Sequence, residues 1–493
     1  MKKTTKVKRF KVTPEIEDFL DRYVKAIEER TAAIFAGAGL SIPAGFVDWR
    51  GLLRKIAKEI RLNVDQENDL IAVAQYHVNE KGGRHRINEA LVNEFSRKAN
   101  LTENHRILAR LPIQTYWTTN YDHLIEEVLD EAGKTPDVKK TVPSLAVNVP
   151  MRDAIVYKMH GDVSLADEAV VTKDDYEGYS SKRELFSTAL RGDLVDKTFL
   201  FLGFSFSDPN IEYILSRIRI LLGKDQREHF CLMRRVHPTD PAFKNNRDAY
   251  IYAKTKQKLQ IRDLKRFAIK VILLDDYHDV TTLLRMIETR VKRKRVFISG
   301  SAETYEPFGE PEARQFVHEL GKSLVKGGYE VVTGFGVGVG DAVINGALDH
   351  IFSTKFRRVD PFLILRPFPQ FATGGKSLPA LWTQYRESIL DEAGVAIFLF
   401  GNKRDKKTGA IVLANGVKEE FEIALKKGMP VIPVGFTGHM AGALLPKLSK
   451  VKGSWKTKQF LAELKRLEKK PRSLTASVPK ILKMIRRLQE ERY

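Results

Sequence analysis

The sequence predicts an α/β protein built from two doubly wound, parallel-sheet domains. Two observations predict it. Short apolar runs alternate with longer helical stretches along the whole chain, the pattern of parallel sheets covered on both faces. Two of those runs, "TAAIFAGAGLS" at 31–41 and "RVFISGS" at 295–301, also pass straight into glycine or polar turns at the head of similar series.

Ahead of the first run, Pro14 to Glu29 reads as an amphipathic helix, suited either to cap its own domain or to contact another copy. After it, "IQTYWTTN" (113–120), "AIVYKMHG" (154–161), "TFLFLGFS" (198–205), "HFCLMRRV" (229–236) and "AIKVILL" (268–274) are strand candidates. They define a first Rossmann-like domain over residues 1–285. A second spans 295–493, with a helical pattern from about Glu312 and the strand candidates "YEVVTGFG", "FLILRPFP", "GVAIFLFG" and "MPVIPVGF". The basic run Lys292-Arg293-Lys294-Arg295 is the expected seam between them.

At 493 residues the chain exceeds one ordinary core, and its 43% apolar and 29% charged content is that of a globular protein. No apolar run approaches the roughly 20 residues a membrane-spanning helix needs. The basic N-terminus leads into an amphipathic pattern with acids rather than a secretory core. The single cysteine, Cys231, excludes internal disulfides and a cysteine-based zinc cluster. A cytoplasmic protein with no membrane contact and no zinc is expected. The net charge of +21 raises the question of nucleic acid. Its lysines and arginines are dispersed, however, and solvated faces or attraction of polyanionic small molecules explain them as well, so nucleic acid is disfavoured as a partner.

Ligands of open α/β sheets collect outside the carboxyl ends of the strands, and the chemistry-bearing residues fall there. Gly37, Ala38 and Gly39 form a turn with little side chain in the way, which suits either a phosphate held by backbone amides or a helix packed tightly on a strand. "TTNYD" ends a strand at Asn120 and Asp122, "KMHGD" another at His160, and "LGFSFSDPN" a third at Gly203, Ser205 and Asp208. A lone His160 would suit a satisfied, partly buried histidine. Gathered with an amide, hydroxyls and carboxylates, it suits acid–base work.

"GAGLSIPAGFVDW", "TTNYD" and "HG", in this order, resemble the sirtuin (Sir2) NAD-binding domain. The resemblance implies that Gly37, Ala38, Gly39 and Ser41 line the dinucleotide NAD+, with Asp48 and Trp49 at the family's aspartate and aromatic positions. It implies that Asn120 and Asp122 face the nicotinamide riboside, that His160 is the catalytic base, and that Gly203, Ser205 and Asp208 hold the adenosine side. Sirtuin deacylases also carry a zinc ribbon of paired cysteines, which one cysteine cannot supply. Its absence, with "KDDYEGY" after His160, is similar to the Sir2-like domains of prokaryotic antiviral systems, which destroy NAD. Cleaving the nicotinamide–ribose bond passes through an oxocarbenium-like state, so a site must chiefly orient the ribose, release nicotinamide and position water. Protein deacylation or ADP-ribosyl transfer, and a non-enzymatic nucleotide-sensing scaffold, remain the alternatives.

In the second half, "VVTGFGVGVGDAVINGAL" places Gly334, Gly336, Gly338 and Gly340 before a helix starting near Asp341, a pattern suited to phosphate groups. "SGS", this turn, "QYRESIL" and "GVKEEFEIALKKGMPVIPV" resemble the SLOG superfamily. The P-G-G-x-G-T loop of its phosphoribohydrolase relatives is replaced by "ANGVKEEF", which implies a binding module. A Sir2-like domain followed by a SLOG domain resembles the effectors of Thoeris antiphage defence. That resemblance implies a cyclic ADP-ribose isomer, made by a TIR-domain partner protein, as activator. It implies that Gly300, Ser301 and Gly334 meet its phosphates, that Arg386 and Glu419 or Glu420 match the pocket's arginine and glutamate, with Glu419 accepting ribose hydroxyls, and that Arg386 and Lys403 neutralise its charge, ordinary surface charge being the alternative for these two. It further implies a homo-oligomer, tetramer or filament, joined through the Sir2 domains.

Overall fold

A computed structural model describes residues 10–243, 246–355, 358–360, 362–450, 453 and 455–490. The chain divides into two compact units, Met1–Glu288 and Thr289–Tyr493. The division falls inside a helix, His278–Arg293. The expected basic seam is thus the end of that helix and the first residue of the next strand, and Arg293 within it is buried.

The first unit holds seven strands: β1 (Ala32–Ala36), β2 (Thr115–Thr118), β3 (Pro136–Lys139), β4 (Ala154–Lys158), β5 (Thr198–Leu202), β6 (His229–Arg234) and β7 (Ile269–Leu274). They form one parallel sheet in the order β3-β4-β2-β1-β5-β6-β7. All five residues of β1 are buried. β1 lies between β2 and β5, so the chain leaves it in opposite directions and opens a crevice at its carboxyl end.

Helix Pro14–Glu28 begins where the Thr13 side chain accepts the Ile16 amide and a proline sits in the first turn. Its buried stripe of Ile16, Phe19, Leu20, Tyr23, Val24 and Ile27 recurs at three- and four-residue spacing. Phe19 meets Phe230 of β6 at 5.0 Å, and the Tyr23 hydroxyl donates to the Ala33 carbonyl of β1 at 3.0 Å. Of its two expected uses, this helix's apolar face is spent on its own sheet.

The turns leaving β1 and β5 touch backbone to backbone. The Gly37 amide donates to the Leu202 carbonyl and the Gly39 amide to the Gly203 carbonyl, both at 2.9 Å. Gly203 has φ +63°, and a Cβ there would stand 2.4 Å from the Leu40 nitrogen. Only glycine fits such an approach.

The second unit carries β8 (Arg295–Ser301), β9 (Glu330–Thr333), β10 (Leu363–Leu365), β11 (Val395–Phe400), the hairpin strands β12 (Asn402–Arg404) and β13 (Ile411–Leu413), and β14 (Val431–Pro433). Its parallel sheet runs β10-β9-β8-β11-β14, so β8 stands at a second reversal of strand order. The expected helix near Glu312 spans Glu310–Lys326, and the one near Asp341 spans Gly340–Ser353. Among the described residues no helix is long and apolar enough to cross a membrane.

Replacing Gly203 by alanine is expected to destabilise the first unit by about 2 kcal/mol or more, since it adds both a clash and left-handed strain. Denaturant unfolding of the variant against the parent measures this.

Candidate active site

The crevice at the ends of β1, β2, β4 and β5 is a cavity of about 810 Å³. Ala38, Gly39, Ser41, Asp48, Asn120, Asp122, His160, Gly203, Ser205 and Asp208 all line it. Of the residues expected around the dinucleotide, Gly37 alone is absent from that lining. Its place is behind the wall, packed on Gly203, where its carbonyl accepts from the Asn120 side chain.

Asn120 sits just past β2. Its Nδ2 donates to the Gly37 carbonyl at 3.0 Å and to Ser41 Oγ at 2.9 Å. Its backbone amide donates to Thr118 Oγ1 at 2.9 Å. With both amide hydrogens committed, the side-chain oxygen is the group left to a ligand. Ser41 therefore acts on Asn120 as well as lining the cavity. Asp122 is buried; one oxygen accepts the Leu124 amide at 3.1 Å, and the other has no hydrogen-bond partner. That oxygen is sealed from solvent, so the carboxylate sits in the cavity wall. Asp48 caps helix Trp49–Glu59, accepting the Gly51 amide at 2.8 Å.

His160 lies two residues past β4. Its ring meets Tyr176 edge-on at 5.5 Å and Tyr179 at 6.2 Å, and its carbonyl accepts the Val170 amide at 2.9 Å. Asp208, expected on the adenosine side, has its Oδ2 2.9 Å from His160 Nε2. Ser205 is exposed and shares a hydrogen bond with Ser207 at 2.7 Å.

A support of this site was missed in the sequence. Lys158, the last residue of β4, is fully buried. Its ammonium lies 2.5 Å from Asp162 Oδ2 and 3.1 Å from Glu126 Oε1, and it donates to the carbonyls of Tyr121 and Asp122. It thereby ties down the loop that presents Asn120. Burial alone would lower the Lys158 pKa, but the carboxylates of Glu126 and Asp162 outweigh it and hold it above its ordinary value. Burial likewise pushes Asp162 up, while hydrogen bonds from His123 and Lys158 hold it well below the carboxylate range. The available signal was a lysine inside an otherwise apolar strand run, "AIVYKMHG".

In the second unit, Gly300 and Ser301 end β8. A Cβ on Gly336 would stand 1.8 Å from the Gly300 carbonyl oxygen, so the glycine-rich turn packs on the strand end. Gly334 lies against Phe368, and Ser301 Oγ donates to the Asn402 carbonyl at 2.9 Å. Arg386 is held by Glu419 at 2.8 Å and Glu420 at 3.5 Å, with its guanidinium 5.1 Å from the centre of the Phe368 ring. Thr383 donates to the other oxygen of Glu419, and Ser299 donates to Glu420, each at 2.5 Å. Burial raises Glu420 to about 6, against the lowering effects of Ser299 and Arg386. Lys403 is exposed on β12, opposite Val412, and the structure gives it no hydrogen bond to this cluster. The sequence did not anticipate the β12–β13 hairpin that carries it.

Comparison with known proteins agrees with this architecture. Residues 114–257 match a SIR2-like domain, and residues 279–488 match the Sir2- and TIR-associating SLOG family. A Sir2-like unit followed by a SLOG unit is therefore the class of this protein. The NAD(+) hydrolase ThsA of Cytobacillus dafuensis is 49% identical over 87% of this chain and 87% of its own length. That of Bacillus cereus (strain MSX-D12) is 50% identical over 89% and 90%, and that of Enterococcus faecium 43% identical over 96% and 99%. The chain belongs to the ThsA family.

Replacing Lys158 by methionine is expected to destabilise the first unit by about 3–5 kcal/mol, because Glu126 would lose its counter-charge, Asp162 would keep only His123 and Lys140, and the Tyr121 and Asp122 carbonyls would lose their donor. Denaturant unfolding checks it, with Lys173→Met, an exposed cavity-rim lysine, as the control expected to change little.

Proposed function

We propose that the first unit hydrolyses NAD+ to nicotinamide and ADP-ribose, and that the second is a sensor whose ligand switches this activity on. The observation that carries the reading is one cavity in which an oriented asparagine, a histidine and a buried carboxylate meet above a glycine turn at the reversal of strand order. The relatives' shared name, NAD(+) hydrolase, supports the same substrate.

The scissile bond joins ribose C1′ to the pyridinium nitrogen. As it breaks, its electron pair passes to nicotinamide, which leaves neutral, and the sugar acquires oxocarbenium character. Asn120, its nitrogen fixed by Gly37 and Ser41, offers Oδ1 to a ribose hydroxyl or the entering water. Asp122 accepts a further hydroxyl and orients rather than attacks. His160 takes the proton from water as the new C1′–O bond forms, and later releases it to solvent. The Ala38 amide and the backbone of the Gly203–Ser205 segment receive the rest of the dinucleotide.

The sensor ligand is a cyclic ADP-ribose-type signal supplied by a TIR-domain partner protein. Arg386 meets its phosphates and Glu419 its hydroxyls, with Gly300, Ser301 and Gly334 lining the backbone side and Lys403 adding charge from the hairpin. The pair match to a Sir2- and TIR-associating family supports a TIR partner. Switching requires two states that the ligand distinguishes, which a homo-oligomer, tetramer or filament, supplies. In the cell the outcome is loss of NAD+ as an antiphage response.

Nicotinamide release by the full chain, with and without a panel of cyclic ADP-ribose isomers, tests the reading. At least one isomer is expected to raise the parent rate, with Arg386→Ala blunting that response. His160→Ala and Asn120→Ala are expected to lose about 100-fold or more of the activated rate while keeping the parent's melting profile. Turnover by His160→Ala at the parent rate would rule the mechanism out.

A further inference from the structure

Asp208 begins helix Pro209–Leu222, and its two oxygens face different ways. Oδ1 accepts the backbone amides of Asn210 at 2.9 Å and Ile211 at 3.1 Å, as an N-cap should. Oδ2 is turned to His160 Nε2, 2.9 Å away. Capping holds the carboxylate by one oxygen, so it cannot swing away from the ring. An ordinary cap needs only the first oxygen; the second is spent on the histidine.

The histidine is held equally firmly. It is 3% exposed and Asp208 9%, so water does not compete for their contact. Tyr176 and Tyr179 pack on the ring at interplanar angles of 81° and 73°, which fixes its plane. Gly161, at φ +92°, and the hydrogen bond from Val170 to the His160 carbonyl fix the backbone behind it. Nε2 is sealed from solvent and lacks an aligned hydrogen bond, although its distance to Asp208 is that of one. Such bonds commonly align only when substrate is bound. His160 lines the cavity, and with Nε2 turned to Asp208 the ring nitrogen left to a ligand is Nδ1.

We propose that Asp208 is the positioning residue of His160, holding the proton on Nε2 so that Nδ1 is the basic nitrogen presented to the attacking water. This rests on the reading of His160 as the base. In the step, one water proton passes to Nδ1 as the C1′–O bond forms and the bond to nicotinamide breaks. Asp208 stays ionised and stabilises the imidazolium through Nε2–H. The proton then leaves to solvent, so Asp208 exchanges neither proton nor electrons. Burial pushes the Asp208 carboxyl up, but the neighbouring imidazole and the two capping amides hold it below its usual range, consistent with a carboxylate that remains charged. The other ionisable groups around the ring are the phenols of Tyr176 and Tyr179, both raised by burial, and Asp122, Lys173 and Glu177 along the same cavity. Arg183 lies behind Gly161. Among the described residues, Asp208 alone has a charged atom within ion-pair distance of the imidazole.

Asp208→Asn separates this role from capping, because asparagine caps as well as aspartate and carries no charge. Asp208→Ser, a second capping residue, keeps the test open should the asparagine variant fold poorly. Both are measured as full chains for nicotinamide release from pH 5 to 9, under the condition of the isomer panel that gives the parent its highest rate. The expected result is a fall in kcat of about tenfold or more with KM within about twofold. In a His160→Ala background, Asp208→Asn should have no further effect. An unchanged kcat in both variants would overturn the proposal while leaving His160 as base. A lowered rate that persists in the His160→Ala background would assign Asp208 a structural role only. If His160→Ala itself turned over at the parent rate, the reading beneath the proposal would be what fails.

Discussion

The contact of the Gly37–Gly39 turn with Gly203 is the constraint on which the catalytic half depends. Two strand ends meet with no side chains between them, at hydrogen bonds of 2.9 Å. Because β1 and β5 are neighbours in the sheet, their turns open towards the same crevice. Gly37 then offers its carbonyl to Asn120 from the β2 side, and the segment after Gly203 brings Asp208 to His160 from the β5 side. Four separate stretches of chain thus meet around a backbone contact that tolerates no Cβ.

Buried charge does the remaining positioning. Lys158 is surrounded by Glu126, Asp162 and two carbonyls, a charge-paired set whose members lie on different segments. Such a cluster contributes little net stability over an apolar core, but removing one member is strongly unfavourable, so it fixes the loop bearing Asn120 in one place. The Arg386 cluster of the second unit uses the same chemistry to another end. Its guanidinium is already engaged by Glu419, and burial raises the Glu420 carboxyl to about 6. An anionic ligand must therefore compete with a resident carboxylate, which favours ligands that also satisfy the displaced glutamate.

Much of this was legible in the sequence. The strand ends that carry Gly37, Asn120, His160 and Gly203 were readable because buried parallel strands are unbroken apolar runs and their ends are marked by glycine and polar residues. β3 was not, since "PDVK" at the sheet edge is short, begins with proline and carries two charges, one of them the buried Asp137 held by Lys139 and Arg152. The β12–β13 hairpin was hidden for a related reason: its exposed, lysine-rich stretch lacks apolar alternation. Asp208 was picked out as a site residue, but which neighbour it would meet depends on the approach of the β4 and β5 ends, and pairings across a sheet are not written in local sequence. The same holds for Gly37, whose glycine is explained by Gly203, 166 positions away, rather than by a ligand.

The central claim is that this cavity delivers water, and no protein side chain, to ribose C1′. Turnover of NAD+ in ¹⁸O-labelled water tests it most directly, with the products resolved by mass spectrometry. The account predicts one ¹⁸O in each ADP-ribose formed, equal in amount to the nicotinamide released. ADP-ribose attached to protein in place of free labelled product, or cleavage at the pyrophosphate instead of the glycosidic bond, would contradict it.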